Sequence, residues 1–183
     1  VRNSILLALA TCGVCITLGT AAAYMKVRRN SKGAEAMEKC ASLTYAIPGI
    51  VLSLAMIFHW VEPLPAIRPG VYGTIWILVI AYITRYLILQ IKESTTALMS
   101  VNPELEEAVR VCGRGKRALW QQVLLPMLAR PILSGSFLIF VSSLTELTLS
   151  SMLASAGTKT IGLTIFNFQQ SGDYNLSAAM SAV

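Results

Sequence analysis

The chain has 183 residues, of which 55% are hydrophobic and 13% charged, with a formal net charge of +6. That balance excludes an ordinary soluble domain and reads as one integral membrane domain. The basic excess does not indicate nucleic-acid binding, because the cations gather in two segments between long apolar runs.

Residues 4–25, 41–60, 71–91 and 131–153 can each cross a hydrocarbon core of about 30 Å, which takes roughly 20 helical residues. A fifth apolar run begins near 175 and is cut at 183. None alternates as a barrel strand does, so an all-α polytopic helical bundle of about five spans is expected. Lys26, Arg28, Arg29, Lys32 and Lys39 follow the first run, and Lys92, Arg110, Arg114, Lys116, Arg117 and Arg130 follow the third. The segments expected on the other face carry only Arg68 and Lys159, with Arg2 at the start. The positive-inside rule therefore makes 26–40 and 92–130 cytoplasmic.

The first run is too long for a signal-peptide core and is read as a span. Its Cys12 and Cys15 have CxxC spacing, but inside an apolar run they read as small packing residues. Cys40 and Cys112 face a reducing compartment, so no disulfide framework is implied.

In the second run, Pro48-Gly49 predicts a kink, either a packing bend or a hinge lining a pathway. His59 and Trp60 sit where this run leaves the membrane, Trp60 as an interfacial anchor. A lone His without companions does not make a metal site. The turn Glu62-Pro63-Leu64-Pro65, then Arg68-Pro69-Gly70, ends the span outside the membrane.

Arg85 and Glu146 are the ionisable residues expected inside the spans. Arg85 falls four to six residues from the inner end of the third run and Glu146 about seven from the outer end of the fourth. At about 1.5 Å per residue they are expected at different depths, roughly 10 Å or more apart. Arg85 is expected to snorkel to the cytoplasmic headgroups. Glu146 either bonds to Ser143, Thr148 or a neighbouring helix as structural glue, or lines the pathway of a cationic substrate. The stretch 163–170, with Ile165, Phe166 and Phe168, is either an interfacial helix or a contact for an external protein.

Between Lys92 and Arg130 the pattern becomes amphipathic: Leu98, Val101, Leu105, Ala108, Val109 and Cys112 recur at spacings of three and four. Asn102 is the expected N-cap, Pro103 the first helical residue, and Glu104, Glu106 and Glu107 suit the positive end of the dipole. Gly113 ends that helix, and a second, basic helix is expected to run to Pro126. The bland alternative is an amphipathic helix lying on the inner leaflet.

Within this segment Glu107-Ala108-Val109, Gly113 and Val123-Leu124-Leu125-Pro126 keep every spacing of the EAA motif, E-A-A-x3-G-x9-I-x-L-P. The chain thereby resembles the permeases of bacterial type I ABC importers, with Val109 for the second Ala and Val123 for Ile. The stretch Tyr82 to Arg85, the run Ser143 to Thr148 and the segment Gly157 to Gly162 resemble ferric-iron permeases in particular. Relatives that move polyamines, thiamine, sulfate or phosphonates share much of this pattern.

The resemblance implies a permease half of the inner membrane, without enzymatic activity of its own. It also implies a second half, fused or separate, an external substrate-binding protein, and two cytoplasmic ATPase subunits that carry ATP and Mg. Glu107, Ala108, Val109 and Gly113 would form the docking element, with Val123, Leu125 and Pro126 leading into the fourth span. Pro48, Gly49 and Glu146 are the pathway candidates. Lacking an initial Met and stopping inside an apolar run, the chain is expected to be a piece of a longer permease. No GxxxxGK[ST] is present to bind a nucleotide phosphate. The alternative of another class is an ion-coupled secondary transporter or channel subunit, with Arg85, Glu146 and Pro48-Gly49 serving an ion path.

Overall fold

The computed structural model describes residues 1–61 and 71–182. The Pro-rich turn expected at 62–65 and 68–70 lies outside them. Among the described residues the chain is helical, with no strand: α1 (Arg2–Arg29), α2 (Lys32–Ala46), α3 (Gly49–Trp60), α4 (Ile75–Ser100), α5 (Pro103–Val111), α6 (Lys116–Leu119), a π-helical turn (Trp120–Leu124), α7 (Leu125–Thr145), α8 (Thr148–Leu153), α9 (Ile161–Gln170) and α10 (Tyr174–Ser181).

Among the described residues three helices are long and apolar enough to span a membrane: α1, α4 and the continuous run from Lys116 to Thr145. The 28 residues of α1 make a rod of about 42 Å, longer than the hydrocarbon is thick. Its surplus turn carries Lys26, Arg28 and Arg29, cations that suit the negative end of the helix dipole. Asn30, at φ 46°, ends the helix in the left-handed conformation that Asn tolerates better than most residues.

The second apolar run is two helices, α2 and α3, meeting at 113° rather than one kinked rod. Pro48 lacks an N–H and disfavours helical geometry in the residue before it, and Ile47 is extended at φ −70°, ψ 134°. The fourth run also differs from expectation at both ends. The basic helix after Gly115 does not stop at Pro126; it continues into α7, with Pro131 inside the helix. A widened turn, in which Leu125 N–H bonds to Trp120 O, lies directly ahead of Pro126, which has no N–H to donate to the helix. At the far end α7 stops at Thr145, and the chain resumes as α8 after Glu146 and Leu147.

The core is built on α4, with α1 and α7 packed against it. Leu7, Leu78, Tyr82, Ile139 and Leu149 are fully buried in one cluster, and Leu98, Leu124 and Leu128 in another nearer the C-terminal end of α4. Cys12 and Cys15 are buried free thiols in the first cluster, and Cys12 Sγ donates to Ser136 O at 3.3 Å. Close approach depends on two glycines. A Cβ on Gly19 would lie 2.8 Å from Gln90 Cβ, and one on Gly135 3.0 Å from Glu93 Cβ. Between them Gln90, fully buried, donates to Ser94 Oγ at 3.1 Å, and Ser94 shares a hydrogen bond with Thr20 at 3.2 Å. Small residues with a short polar ladder are how helices associate where lipid supplies no hydrophobic drive.

Gly19→Leu is expected to separate α1 from α4 and to cost about 1–3 kcal/mol, the usual range for overpacking. Thermal unfolding of the detergent-solubilised protein should show a lower midpoint; an unchanged midpoint would mean that the close approach is not required.

Candidate functional site

Two sets of residues stand out, one around α5 and one where the helix breaks meet. In the first, Asn102 caps α5 by accepting Glu104 N–H at 3.0 Å, with Pro103 opening the helix. Gly113 has φ +71°, and Arg114 N–H returns to Val109 O at 3.1 Å, closing the helix into a tight elbow. A Cβ on Gly113 would meet nothing within 4 Å, so its constraint is backbone conformation and not space.

The orientation of α5 reverses part of the expected amphipathic pattern. Leu105 is 41% exposed and Val111 88% exposed, and Ala108 and Cys112 are also exposed. The residue turned inward is Glu106, 4% exposed. It accepts from Arg28 Nε at 2.5 Å, while Arg28 Nη2 donates to Val101 O at 2.8 Å. This buried pair ties the elbow to the end of α1, and Val109 and Val123 pack on the adjoining core. Glu107, Leu125 and Pro126 are exposed. Sequence reasoning missed Arg28 and Glu106; the one available signal was a carboxylate beside the motif glutamate with cations at the end of α1.

In the second set the break between α2 and α3 and the break between α7 and α8 lie against each other. A Cβ on Gly49 would collide with Thr148 Oγ1 and come within 2.9 Å of Thr148 Cβ. Arg85 lies between the breaks: Nη1 donates to Ile47 O at 3.1 Å, and Nε is 3.7 Å from Glu146 Oε2. Both expectations for Arg85 are thereby corrected. It pairs with Glu146 instead of lying roughly 10 Å away, and it does not snorkel. Depth was counted from an inner end at 91, whereas α4 runs on to Ser100 and places Arg85 near its middle.

Glu146 is 9% exposed and fully engaged. Its Oε1 accepts from Thr148 N at 3.1 Å, Leu149 N at 3.2 Å and Thr148 Oγ1 at 2.5 Å, covering open N–H groups at the start of α8. Its Oε2 accepts from Tyr86 Oη. Thr148 is thus a partner of Glu146 as expected, and Tyr86 supplies the bond from a neighbouring helix, whereas among the described residues Ser143 Oγ makes no hydrogen bond. Beside the pair lies a polar cavity of about 390 Å³, lined by Tyr45, Arg85, Tyr86, Thr145, Glu146 and Thr148. The structure thus brings Pro48, Gly49 and Glu146 together at one place, and neutralises the carboxylate there with a guanidinium. Among the described residues no three His, Cys, Asp or Glu side chains gather as a metal site.

Comparison with known proteins gives a consistent picture. Residues 15–183 match the model of the family described as binding-protein-dependent transport system inner membrane component. The chain is 26% identical over 99% of its length to a probable ABC transporter permease protein of Sinorhizobium fredii. It is 25% identical over 90% of its length to the ferric transport system permease protein FbpB of Actinobacillus pleuropneumoniae. It is also 26% identical over 85% of its length to the putrescine transport system permease protein PotI of Escherichia coli. The chain spans 32%, 23% and 56% of the lengths of these three relatives. With the motif spacing preserved and the family matched over nearly all of the sequence, the chain belongs to the binding-protein-dependent inner membrane components, the permeases of type I ABC importers.

Proposed function

We propose that this chain is one permease half of an ATP-driven importer of the bacterial inner membrane, and that residues 92–130 form its cytoplasmic ATPase-docking region. The carrying observation is the inverted face of α5: an exposed apolar stripe of Leu105, Ala108 and Val111 on a helix whose Glu106 is locked inward by Arg28. An apolar stripe held outward suits a protein partner, while Glu107 beside it offers a charge. A helix resting on the inner leaflet would have to turn that stripe toward the lipid.

In this reading ATP and Mg reside on the ATPase subunits, and a second permease half and an external binding protein complete the transporter. Docking forces pass through two routes. The Arg28–Glu106 pair carries motion of α5 to α1, and the unbroken helix from Lys116 to Thr145 carries motion of the elbow to the Glu146 break. Ferric iron is the first substrate to screen, since FbpB is named for ferric transport. The cavity beside Glu146 is lined by oxygen donors yet has its carboxylate neutralised by Arg85, which suits brief passage better than tight retention.

Two variants separate backbone geometry from mere presence of a side chain at the elbow. Gly113→Arg is expected to abolish uptake with the protein still inserted, whereas Gly113→Asn, a residue that tolerates positive φ, should keep most of it. Radiolabelled ferric uptake in cells reads both; normal uptake with Gly113→Arg would refute the docking role. An energy-source control accompanies it: uptake that survives ATP depletion but collapses with the proton gradient would favour an ion-coupled carrier.

A second expectation concerns Glu146. Glu146→Gln leaves the partly buried Arg85 without a counter-charge and should destabilise the protein by about 1–3 kcal/mol. Adding Arg85→Leu should recover much of that loss. Thermal unfolding of single and double variants checks this; a stable Glu146→Gln protein with lost uptake would instead make Glu146 a pathway carboxylate.

A further inference from the structure

Two neighbouring cavities, away from the helix breaks and bordering the motif residues Glu107, Val109 and Leu125, share Tyr24 and Arg29. The first is an open cleft of about 670 Å³ between α1 and α7, lined by apolar side chains such as Ile16, Ala21, Met25, Leu125 and Leu133. Its two threonine hydroxyls are already engaged: Thr17 donates to Val14 O at 2.9 Å and Thr20 bonds to Ser94. From Ile16 to Met25 the cleft runs about 13 Å along α1, close to the roughly 15 Å of one leaflet's hydrocarbon. The second is a cavity of about 270 Å³ between the end of α1 and the elbow. Arg28, Arg29, Arg110, Arg114 and Lys116 line it, against Glu106 and Glu107. Arg28 is taken by Glu106, and Arg114 donates to the neutral Gln122. Among the described residues, Arg29, Arg110, Arg114 and Lys116 have no ion pair. Tyr24 and Trp120, with ring centroids 5.0 Å apart, mark the boundary between the two spaces.

We propose that cleft and cavity together form a binding site for one anionic phospholipid of the cytoplasmic leaflet, its acyl chain along α1 and α7 and its phosphate among the arginines. The argument is charge complementarity joined to depth. A helix of a partner subunit could cover the apolar cleft but would leave the unpaired cations at its end unexplained. A free anion could meet the cations but would have no use for the cleft. Only a molecule with a negative head and a hydrocarbon tail uses both, and the cavity lies in the surplus cytoplasmic turn of α1, at headgroup level. The site would couple membrane composition to the elbow, because the same cavity is walled by Glu106 and Glu107.

The test uses the full-length protein, delipidated in mild detergent and mixed with phosphatidylglycerol or phosphatidylcholine of identical acyl chains, with retained lipid counted by native mass spectrometry. Phosphatidylglycerol should be retained at least about fivefold better, the preference that one Arg near a membrane surface supplies. Arg29→Gln with Arg110→Gln, both at exposed positions, should bring the ratio close to one. Ala21→Trp, also exposed, should block the cleft and reduce retention of both lipids. Excess inorganic phosphate should not displace the lipid. Equal retention of the two lipids overturns the proposal. So does displacement by phosphate with no effect of Ala21→Trp, which would mean a free-anion site. Lipid-free protein in which Ala21→Trp instead separates permease halves would assign the cleft to a subunit contact and overturn it as well. None of these readouts depends on ATPase docking or uptake, so failure here leaves the proposed function standing.

Discussion

Hydrocarbon offers no hydrogen-bond partner, so every place where this chain leaves the helix inside the membrane must supply its own. That requirement explains why Arg85 and Glu146 are where they are. The chain breaks at Ile47-Pro48 and again at Glu146-Leu147, and each break exposes polar backbone. Arg85 donates to the Ile47 carbonyl, and Glu146 accepts the open N–H groups of α8. The remaining charges of the two side chains then offset one another at 3.7 Å. Gly49 and Thr148 can touch only because the breaks are fixed this way, and α3, α4 and α8 converge on that point.

The same logic operates at the tie between the end of α1 and α5. Arg28 and Glu106 are each largely withdrawn from solvent, and breaking such a pair from one side costs about 3–5 kcal/mol. The pair sets the rotation of α5, and that rotation decides which residues face outward. Two charged pairs thus fix two places in the fold, the elbow after α5 and the junction of the helix breaks. In the proposed assembly the continuous helical run from Lys116 to Thr145 joins them.

Much of this was legible in the sequence. Long apolar runs, basic loops and the Pro and Gly positions indicated a helical membrane bundle. The caps at Asn102-Pro103 and Gly113 located the elbow, since capping chemistry is local. What was not legible depended on where helices end. Extending α4 from 91 to Ser100 shifts Arg85 from the inner rim to mid-helix, and hydropathy cannot see that extension because its last turns are polar. The inward face of α5 was misjudged for a related reason. Periodicity identifies an apolar stripe but not whether it faces the protein or a partner, and here the inward side is chosen by one ion pair, 78 residues apart in sequence.

The most direct measurement is a charge exchange across the Arg28–Glu106 tie, read by co-purification of the ATPase subunit with the full-length protein from membranes. Arg28→Glu and Glu106→Arg, each alone, should lose the ATPase, because a buried unpaired charge turns α5 away from its outward-facing position. The two together should restore a substantial part of it. Retention of the ATPase by both single variants would contradict the account, since the elbow would then hold its docking face without the tie.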